Sequence, residues 1–235
     1  MRLDKFFTSV GLLSRKECAA ACKKGRVTVN GAVVKDASVH INEEADSICL
    51  DGALLSYRKF TYIMLNKPAG YVSATEAPDD VTVLALLPPE LQKIGLFPCG
   101  RLDKNTLGLM ILTNNGPLAH RLLAPKTHCE KVYRFESRFP LSEADCEALE
   151  KGVDLGDFVS APCKVSLDGN QAGYITLTEG KYHQIKRMLE AVHNKVTYLE
   201  RVRFAEIALD EGLERGQWRY LTEEEQKSIE AQMEG

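Results

Sequence analysis

The residues best suited to chemistry lie in one short stretch, in which Arg101 and Asp103 stand between Gly100 and Gly108. An ionised aspartate held at such a place can act as a nucleophile or as a base. The apolar run 109–112 has the length of a buried strand, so the stretch predicts a loop at the mouth of that strand, where functional residues are common. In the plainer interpretation, Asp103 makes a local turn and Arg101 is its solvated partner.

A second group with chemical potential is the aromatic hydroxyl of Tyr133. Alternation over residues 131–135 predicts a strand with Tyr133 on one face and Arg134 on the other. A tyrosine in a strand is ordinarily part of a core. A further strand, predicted at 62–65, leads into the loop 66–71, whose proline and glycine indicate a tight and rigid turn.

Three segments together resemble the motifs of the pseudouridine synthases that act on ribosomal RNA. The stretch from Gly100 is similar to the signature G-R-L-D-x-x-T-x-G-L of that family, and residues 131–133 are similar to its K-x-Y motif. Residues 180–188, Gly-Lys-Tyr-His-Gln-Ile-Lys-Arg-Met, are similar to G-[RK]-x-H-Q-[IV]-[RK]-R-M, which opens a helix in the family. The resemblance covers nearly the whole chain and implies the isomerisation of uridine to pseudouridine in RNA, a reaction that needs no cofactor and no metal.

The resemblance also implies roles for individual residues. Asp103 is expected to be the essential catalytic carboxylate, and Tyr133 is expected to stack on a flipped uracil and to exchange a proton. Lys186 is expected to pair with Asp103 and keep it ionised and aimed. Many relatives have arginine at this position, and lysine offers a point charge in place of a bidentate fork. His183 is interpreted as a structural residue at the start of the helix.

The loop that begins at Asn66 resembles the N-K-P-x-G motif of the same family, which implies structural support for the loop of Asp103. Within it, Lys67 is also predicted to contact an RNA phosphate. Arg101 is assigned to the same set of RNA contacts.

The element that must bring RNA to this site is predicted at the N-terminus. The net charge is −3, yet residues 1–35 carry eight Lys or Arg against two acidic residues, whereas residues 205–235 carry three against nine. A capping box at Ser14 and the Asn30-Gly31 turn predict two short helices followed by a hairpin. This quarter of the chain resembles the α-L, S4-like RNA-binding domain, which implies phosphate contacts from its basic residues: Arg15, Lys16, Lys23, Lys24 and Arg26.

The interleaved strands and short helices lack regular βαβ alternation, which favours an α+β fold. The resemblance implies a small α-L RNA-binding domain at 1–58 and a catalytic domain at 59–235, with a mixed, mostly antiparallel β-sheet flanked by helices. Residues 51–60 are interpreted as a short linker. Seven cysteines without a C-x-x-C pair predict free, buried thiols in a reducing cytosol, and the absence of a signal peptide or apolar span predicts a cytoplasmic protein with no membrane contact.

The expected function is an isomerase that modifies one uridine of 16S ribosomal RNA as a monomer. The RNA is either free or part of an assembling ribosomal subunit, and the motifs do not distinguish the two. Two alternatives stay open: a 23S ribosomal RNA pseudouridine synthase, and a non-catalytic RNA-binding factor in ribosome assembly. The presence of Asp103, Tyr133 and Lys186 together argues against the non-catalytic factor.

Overall fold

The computed structural model describes residues 1–231, which pack as two compact units. The first unit comprises Met1–Thr61 and Leu87–Leu96, and the second comprises Tyr62–Leu86 and the chain from Phe97 onward. The first unit is therefore built from two separate pieces of sequence. The predicted division between residues 58 and 59 stays a prediction, and residues 232–235 of the predicted catalytic domain lie outside the described residues.

The first unit packs short helices and strands around one small core. Its elements are α1 (Leu3–Ser9), α2 (Arg15–Lys23), β1 (Val27–Val29), β2 (Ala32–Val33), β3 (Ile48–Leu50), β4 (Ala53–Leu54) and α3 (Pro89–Gln92). Helix α2 begins with the predicted capping box, in which the Glu17 N–H donates to Ser14 Oγ at 3.3 Å and the Ser14 N–H donates to the Glu17 carboxylate at 2.8 Å. Both buried thiols of α2, Cys18 and Cys22, lie in the core of this unit.

The four strands of the first unit form a sheet in the order β2-β1-β3-β4. The predicted hairpin is confirmed, because Asn30 and Gly31 join β1 to β2 with φ of 51° and 80°. Asp51 and Gly52 join β3 to β4 in the same way, with φ of 52° and 81°. The predicted linker at 51–60 is therefore wrong in its first four residues, where an Asp-Gly pair makes a second two-residue hairpin turn.

The second unit is organised around one large sheet. Its strands are β5 (Tyr62–Lys67), β6 (Phe97–Pro98), β7 (Leu107–Thr113), β8 (Lys131–Ser137), β9 (Lys164–Leu167), β10 (Ala172–Leu177), β11 (Val196–Phe204), β12 (Ile207–Ala208) and β13 (Trp218–Tyr220). The main order is β13-β5-β7-β11-β8-β10-β9, with β12 on β11 and β6 on β7. Among the described strands only β7 and β11 pair in parallel. The predicted α+β class with a mixed, mostly antiparallel sheet is confirmed.

The centre of this sheet is enclosed on both faces. Every residue of β5 is buried, and in β7 only the first residue is partly exposed. This burial explains why residues 62–65 and 109–112 are continuous apolar runs without alternation. By contrast β8 alternates between buried and half-buried residues, with Tyr133 buried and Arg134 half-exposed as predicted.

Helices lie between these strands and after the last of them. They are α4 (Gly116–Leu123), α5 (Glu143–Lys151), α6 (Gln184–Ala191) and α7 (Glu223–Glu230), with 3-10 turns at Val83–Leu86 and Pro125–Thr127. Side chains of Asn115, Ser142 and Thr222 cap the starts of α4, α5 and α7. In residues 1–231, none of the helices is long and apolar enough to cross a membrane.

Candidate active site

Asp103 lies in the loop that leads into β7, a strand that lies between β5 and β11 in the large sheet. The end of this loop is fixed by Gly108, which pairs with Lys67 of β5 on one side and with Arg201 of β11 on the other. Gly108 has a φ of 95°, and a Cβ atom there would stand 2.3 Å from the carbonyl oxygen of Arg201. Only glycine allows β11 to approach the end of the loop this closely.

The middle of the loop is held by the segment that follows β5. The Gly70 N–H donates to the Lys104 carbonyl at 2.9 Å. The Ser73 hydroxyl donates to the Leu102 carbonyl at 2.8 Å and accepts from the Leu102 N–H at 3.0 Å. These bonds lie on both sides of Asp103 in sequence, so the segment supports the loop, as its resemblance to N-K-P-x-G implied.

Lys67 completes this support from inside the protein. Its ammonium group donates to the carbonyls of Pro68, Lys104 and Thr106 at 3.0, 2.9 and 2.9 Å. The side chain is fully buried. An ammonium group has three N–H donors, and all three are used here. The prediction that Lys67 contacts an RNA phosphate is therefore corrected: this lysine has neither an exposed surface nor a spare donor.

Burial has an electrostatic consequence for Lys67. Removal from water lowers the pKa of its ammonium group to about 8, although the nearby carboxylate of Asp103 acts in the opposite direction. The positive charge of Lys186 adds to the lowering. The loop of Asp103 is thus held by a cation that the protein interior destabilises.

The carboxylate of Asp103 is paired with a residue from the start of α6. Lys186 Nζ donates to Asp103 Oδ2 at 2.5 Å, and the two side chains are 31% and 26% exposed. His183 Nε2 lies 3.6 Å from the other oxygen, Oδ1. The pair is therefore oriented by the protein and still reachable from solvent, as a nucleophile or base must be.

Tyr133 occupies a neighbouring part of the same sheet. In β8 it stands opposite Arg201 of β11, and Arg201 stands opposite Gly108 of β7. Gly108, Arg201 and Tyr133 thus form one row across three strands, which connects the tyrosine to the end of the loop of Asp103. The ring is mostly buried. Its role as the residue that stacks on uracil stays a prediction.

Arg201 is a residue that sequence reasoning missed. Only 1% of its surface is exposed, and its Nε donates to the carbonyl of Leu109 in β7 at 2.8 Å. Its guanidinium carbon lies 5.0 Å from the ring centre of Phe204, a cation–π distance. The three residues from Leu199 to Arg201 are all buried, so β11 shows no alternation that would mark the arginine as an inward residue.

The cationic residues predicted to bind RNA are on the surface, with the exception of Lys67. In the second unit, Arg101 is exposed and has no ion pair within residues 1–231. In the first unit, Arg26 is exposed but binds both carboxylate oxygens of Asp51, at 2.8 and 2.5 Å. The other four basic residues there are exposed and form no ion pair with a described residue: Arg15, Lys16, Lys23 and Lys24.

In the described part of the chain, no three His, Cys, Asp or Glu side chains come together as metal ligands would. All seven cysteines are free. Burial raises the pKa of the Cys18 and Cys99 thiols to about 12, so these groups are neutral small side chains at ordinary pH.

Comparison with known proteins places two families on the chain. A family profile described as RNA pseudouridylate synthase matches residues 61–191, and one described as S4 domain matches residues 1–47. A crystal structure of a pseudouridylate synthase is similar to this one with a TM-score of 0.70 at 36% identity, covering 97% of this chain and 99% of that one.

Full-length relatives carry related names. An uncharacterized RNA pseudouridine synthase of Bacillus subtilis (strain 168) is 44% identical, covering 96% of this chain and 96% of that protein. The ribosomal small subunit pseudouridine synthase A of Yersinia pestis is 40% identical, covering 98% of this chain and 99% of that protein. The protein of the same name from Escherichia coli (strain K12) is 39% identical, covering 97% and 100%.

Proposed function

Because the chain belongs to the RNA pseudouridylate synthase family, we propose that it converts one uridine of 16S ribosomal RNA to pseudouridine, with Asp103 as the essential carboxylate. The observation that carries the assignment of Asp103 is its contact with Lys186 Nζ at 2.5 Å, on a loop braced by β5 and β11. The 16S target is supported by relatives of about 40% identity that are named as small-subunit enzymes.

The reaction places three demands on the site. The uridine must leave its stack, because the enzyme cannot reach the sugar–base bond inside a helix. The second demand is that the uracil is held while it reacts: the bond between N1 and C1′ breaks, the uracil turns, and a bond forms between C5 and C1′. C5 loses its hydrogen as a proton, and N1 gains a proton. The atoms and electrons balance without an oxidant or a reductant. The third demand is a carboxylate that is oriented and accessible, and Asp103 beside Lys186 meets it.

The remaining residues serve to hold the RNA. Tyr133 is assigned to the detached uracil, since an aromatic ring stacks on a base while its hydroxyl end stays polar. Arg101 is exposed and next but one to Asp103, where a cation meets the phosphates around an extruded nucleotide. The S4-like unit binds structured RNA through the phosphate contacts of its exposed basic residues. We propose that the protein acts in the cytoplasm as a monomer, on RNA that is free or in an assembling subunit.

Tritium release from RNA labelled at uracil C5 tests this function. Transcripts of 16S and 23S RNA are supplied both free and as partial ribonucleoprotein, with the Asp103→Asn variant as control. We expect release from a 16S substrate that the variant abolishes, while the variant keeps its RNA affinity within about twofold, since binding rests on phosphate contacts elsewhere.

The other outcomes separate the alternatives. Release only from 23S RNA would transfer the target to the large subunit. Tight binding without release from any substrate would favour an assembly factor. Release that persists in Asp103→Asn would remove this residue from its proposed role.

A further inference from the structure

An exposed pair of stacked rings stands next to the carboxylate of Asp103. The rings of Tyr182 and His183 have centroids 3.9 Å apart and are inclined by only 17°. Tyr182 is 76% exposed, the highest value among the exposed large hydrophobic side chains of residues 1–231. Since His183 covers one face of the tyrosine ring, most of the remaining ring surface is open to solvent.

His183 ties this pair to the reactive group. Its Nε2 lies 3.6 Å from Asp103 Oδ1, so a chain of contacts leads from the carboxylate through the imidazole to the tyrosine ring. His183 has a φ of 50°, a left-handed conformation that is unfavourable for a residue other than glycine. Its side chain does not cap α6. The unfavourable backbone is therefore not explained by a side-chain cap of α6.

Exposure distinguishes this tyrosine from the one already assigned to the target base. Tyr133 is a mostly buried strand residue, suited to a base that has entered the protein. Tyr182 lies on the surface, suited to a base that stays outside. Extrusion of a uridine also leaves the neighbouring base without its stacking partner, and an aromatic side chain can take that place.

We propose that the Tyr182–His183 pair is a stacking site for the base of a nucleotide adjoining the target uridine, an inference that rests on the function proposed above. Stacking tolerates any base, because every base has a π-face. The exposed side chain of Lys181, which has no ion pair with a described residue, adds a cation for the adjoining phosphate. Tyr182 is thus a positioning residue that holds the RNA strand while its neighbour is extruded.

The test combines variants of the ring with removal of the base. Tyr182→Ala, Tyr182→Trp and wild type are assayed by single-turnover tritium release on the RNA that wild type modifies, and on two versions with an abasic nucleotide immediately before or after the target. On intact RNA we expect Tyr182→Ala to lower kcat/KM about tenfold and Tyr182→Trp to restore it. On the abasic RNA that lacks the stacked base, wild type and Tyr182→Ala should be equal.

Matched controls make the result specific. Tyr174→Ala removes another exposed tyrosine of the same unit and should leave kcat/KM unchanged. Because Tyr182 is exposed, its variants should unfold at the wild-type temperature. Equal activity of Tyr182→Ala and wild type on intact RNA, or an equal loss on all three RNAs, would overturn the stacking site. Inactivity of wild type itself would instead overturn the proposed function, and this inference with it.

Discussion

Lys186 Nζ and Asp103 Oδ2 are 2.5 Å apart, although 83 positions separate the two residues in the chain. The contact joins the loop before β7 to the first turn of α6, two elements that the sheet order alone would not bring together. An ammonium group at this distance fixes the direction of the carboxylate through a charge-assisted hydrogen bond. The fold therefore supplies the contact on which the proposed chemistry of Asp103 depends.

Removal of the Lys186 ammonium should impair the chemical step more than binding. We expect Lys186→Met to lower kcat about 100-fold, because a misplaced reactive group costs about this much, and to change the RNA Kd less than threefold. Lys186→Arg, which keeps the charge, should retain more activity than Lys186→Met. Single-turnover rates and filter binding measure the two effects.

A surface lysine provides the control for these variants. Lys151 pairs with Glu147 at 3.0 Å on the exposed side of α5, and Lys151→Met should leave kcat unchanged. Wild-type kcat in Lys186→Met would mean that the ion pair is structural only.

A methyl group at Gly108 should disrupt the contact between β11 and the loop of Asp103. We expect Gly108→Ala to lower the free energy of unfolding by more than about 2 kcal/mol, because the residue has a φ of 95° and the new Cβ would stand 2.3 Å from the Arg201 carbonyl oxygen. Gly116→Ala is the matched control, since nothing lies within 4 Å of its Cβ position. Urea unfolding of both variants measures the difference. Equal stabilities would show that β11 can move away from the loop at little cost.

Part of this arrangement was accessible from the sequence. Local signals were reliable where neighbouring residues decide the structure, as at the Ser14 capping box and the Asn30-Gly31 turn. The pairing of Asp103 with Lys186 was expected from the resemblance of two motifs, and the structure brings both side chains together. Asp51-Gly52 carried an equally strong turn signal, and its interpretation as a linker overlooked it.

Contacts distant in sequence were not accessible in this way. A lysine in a loop is ordinarily solvated, and the burial of Lys67 depends on carbonyls supplied 37 and 39 residues later. Arg201 was missed because β11 is buried where it pairs with β7. Its residues there do not alternate between buried and exposed positions, so no polar face contrasts with an inward one. The segment Leu87–Leu96 likewise packs as part of the first unit, and no local sequence pattern predicts this.

Loss of the Lys67 ammonium should loosen the loop of Asp103. We expect Lys67→Met to lower the free energy of unfolding by about 2–4 kcal/mol, because three carbonyls lose their donor while the cost of a buried charge is relieved. Lys104→Met removes an exposed lysine that pairs with Asp80 and should change stability by less than about 0.5 kcal/mol. Urea unfolding of the two variants provides the comparison, and equal stabilities would contradict the supporting role of Lys67.

The same lysine should give stability a distinctive pH dependence. The pKa of Lys67 is about 8 in the folded protein and 10.5 in the unfolded chain. Between these two pH values the unfolded chain therefore binds more protons than the folded protein. The free energy of unfolding should therefore rise with pH between 8 and 10.5. Below pH 8 the depressed pKa of Lys67 destabilises the folded protein by its full amount, and above pH 10.5 this destabilisation is absent. We expect wild type to gain about 3 kcal/mol over Lys67→Met between pH 7.5 and 10.5. Parallel pH profiles of the two proteins would show that Lys67 titrates normally.

Salt dependence of RNA binding should identify which cations of the first unit meet phosphates. Each phosphate contact contributes about 0.9 to the slope of log Kobs against log salt, so Lys23→Ala combined with Lys24→Ala should reduce the slope by nearly two. Adding Arg26→Ala should reduce it by less than a further 0.9, because this guanidinium is already neutralised by Asp51. Filter binding between about 50 and 200 mM salt covers the range in which these slopes are measurable.

Lys151→Ala, in the other unit, is the control for nonspecific loss of charge. An unchanged slope in the double variant would remove this basic surface from the RNA contact.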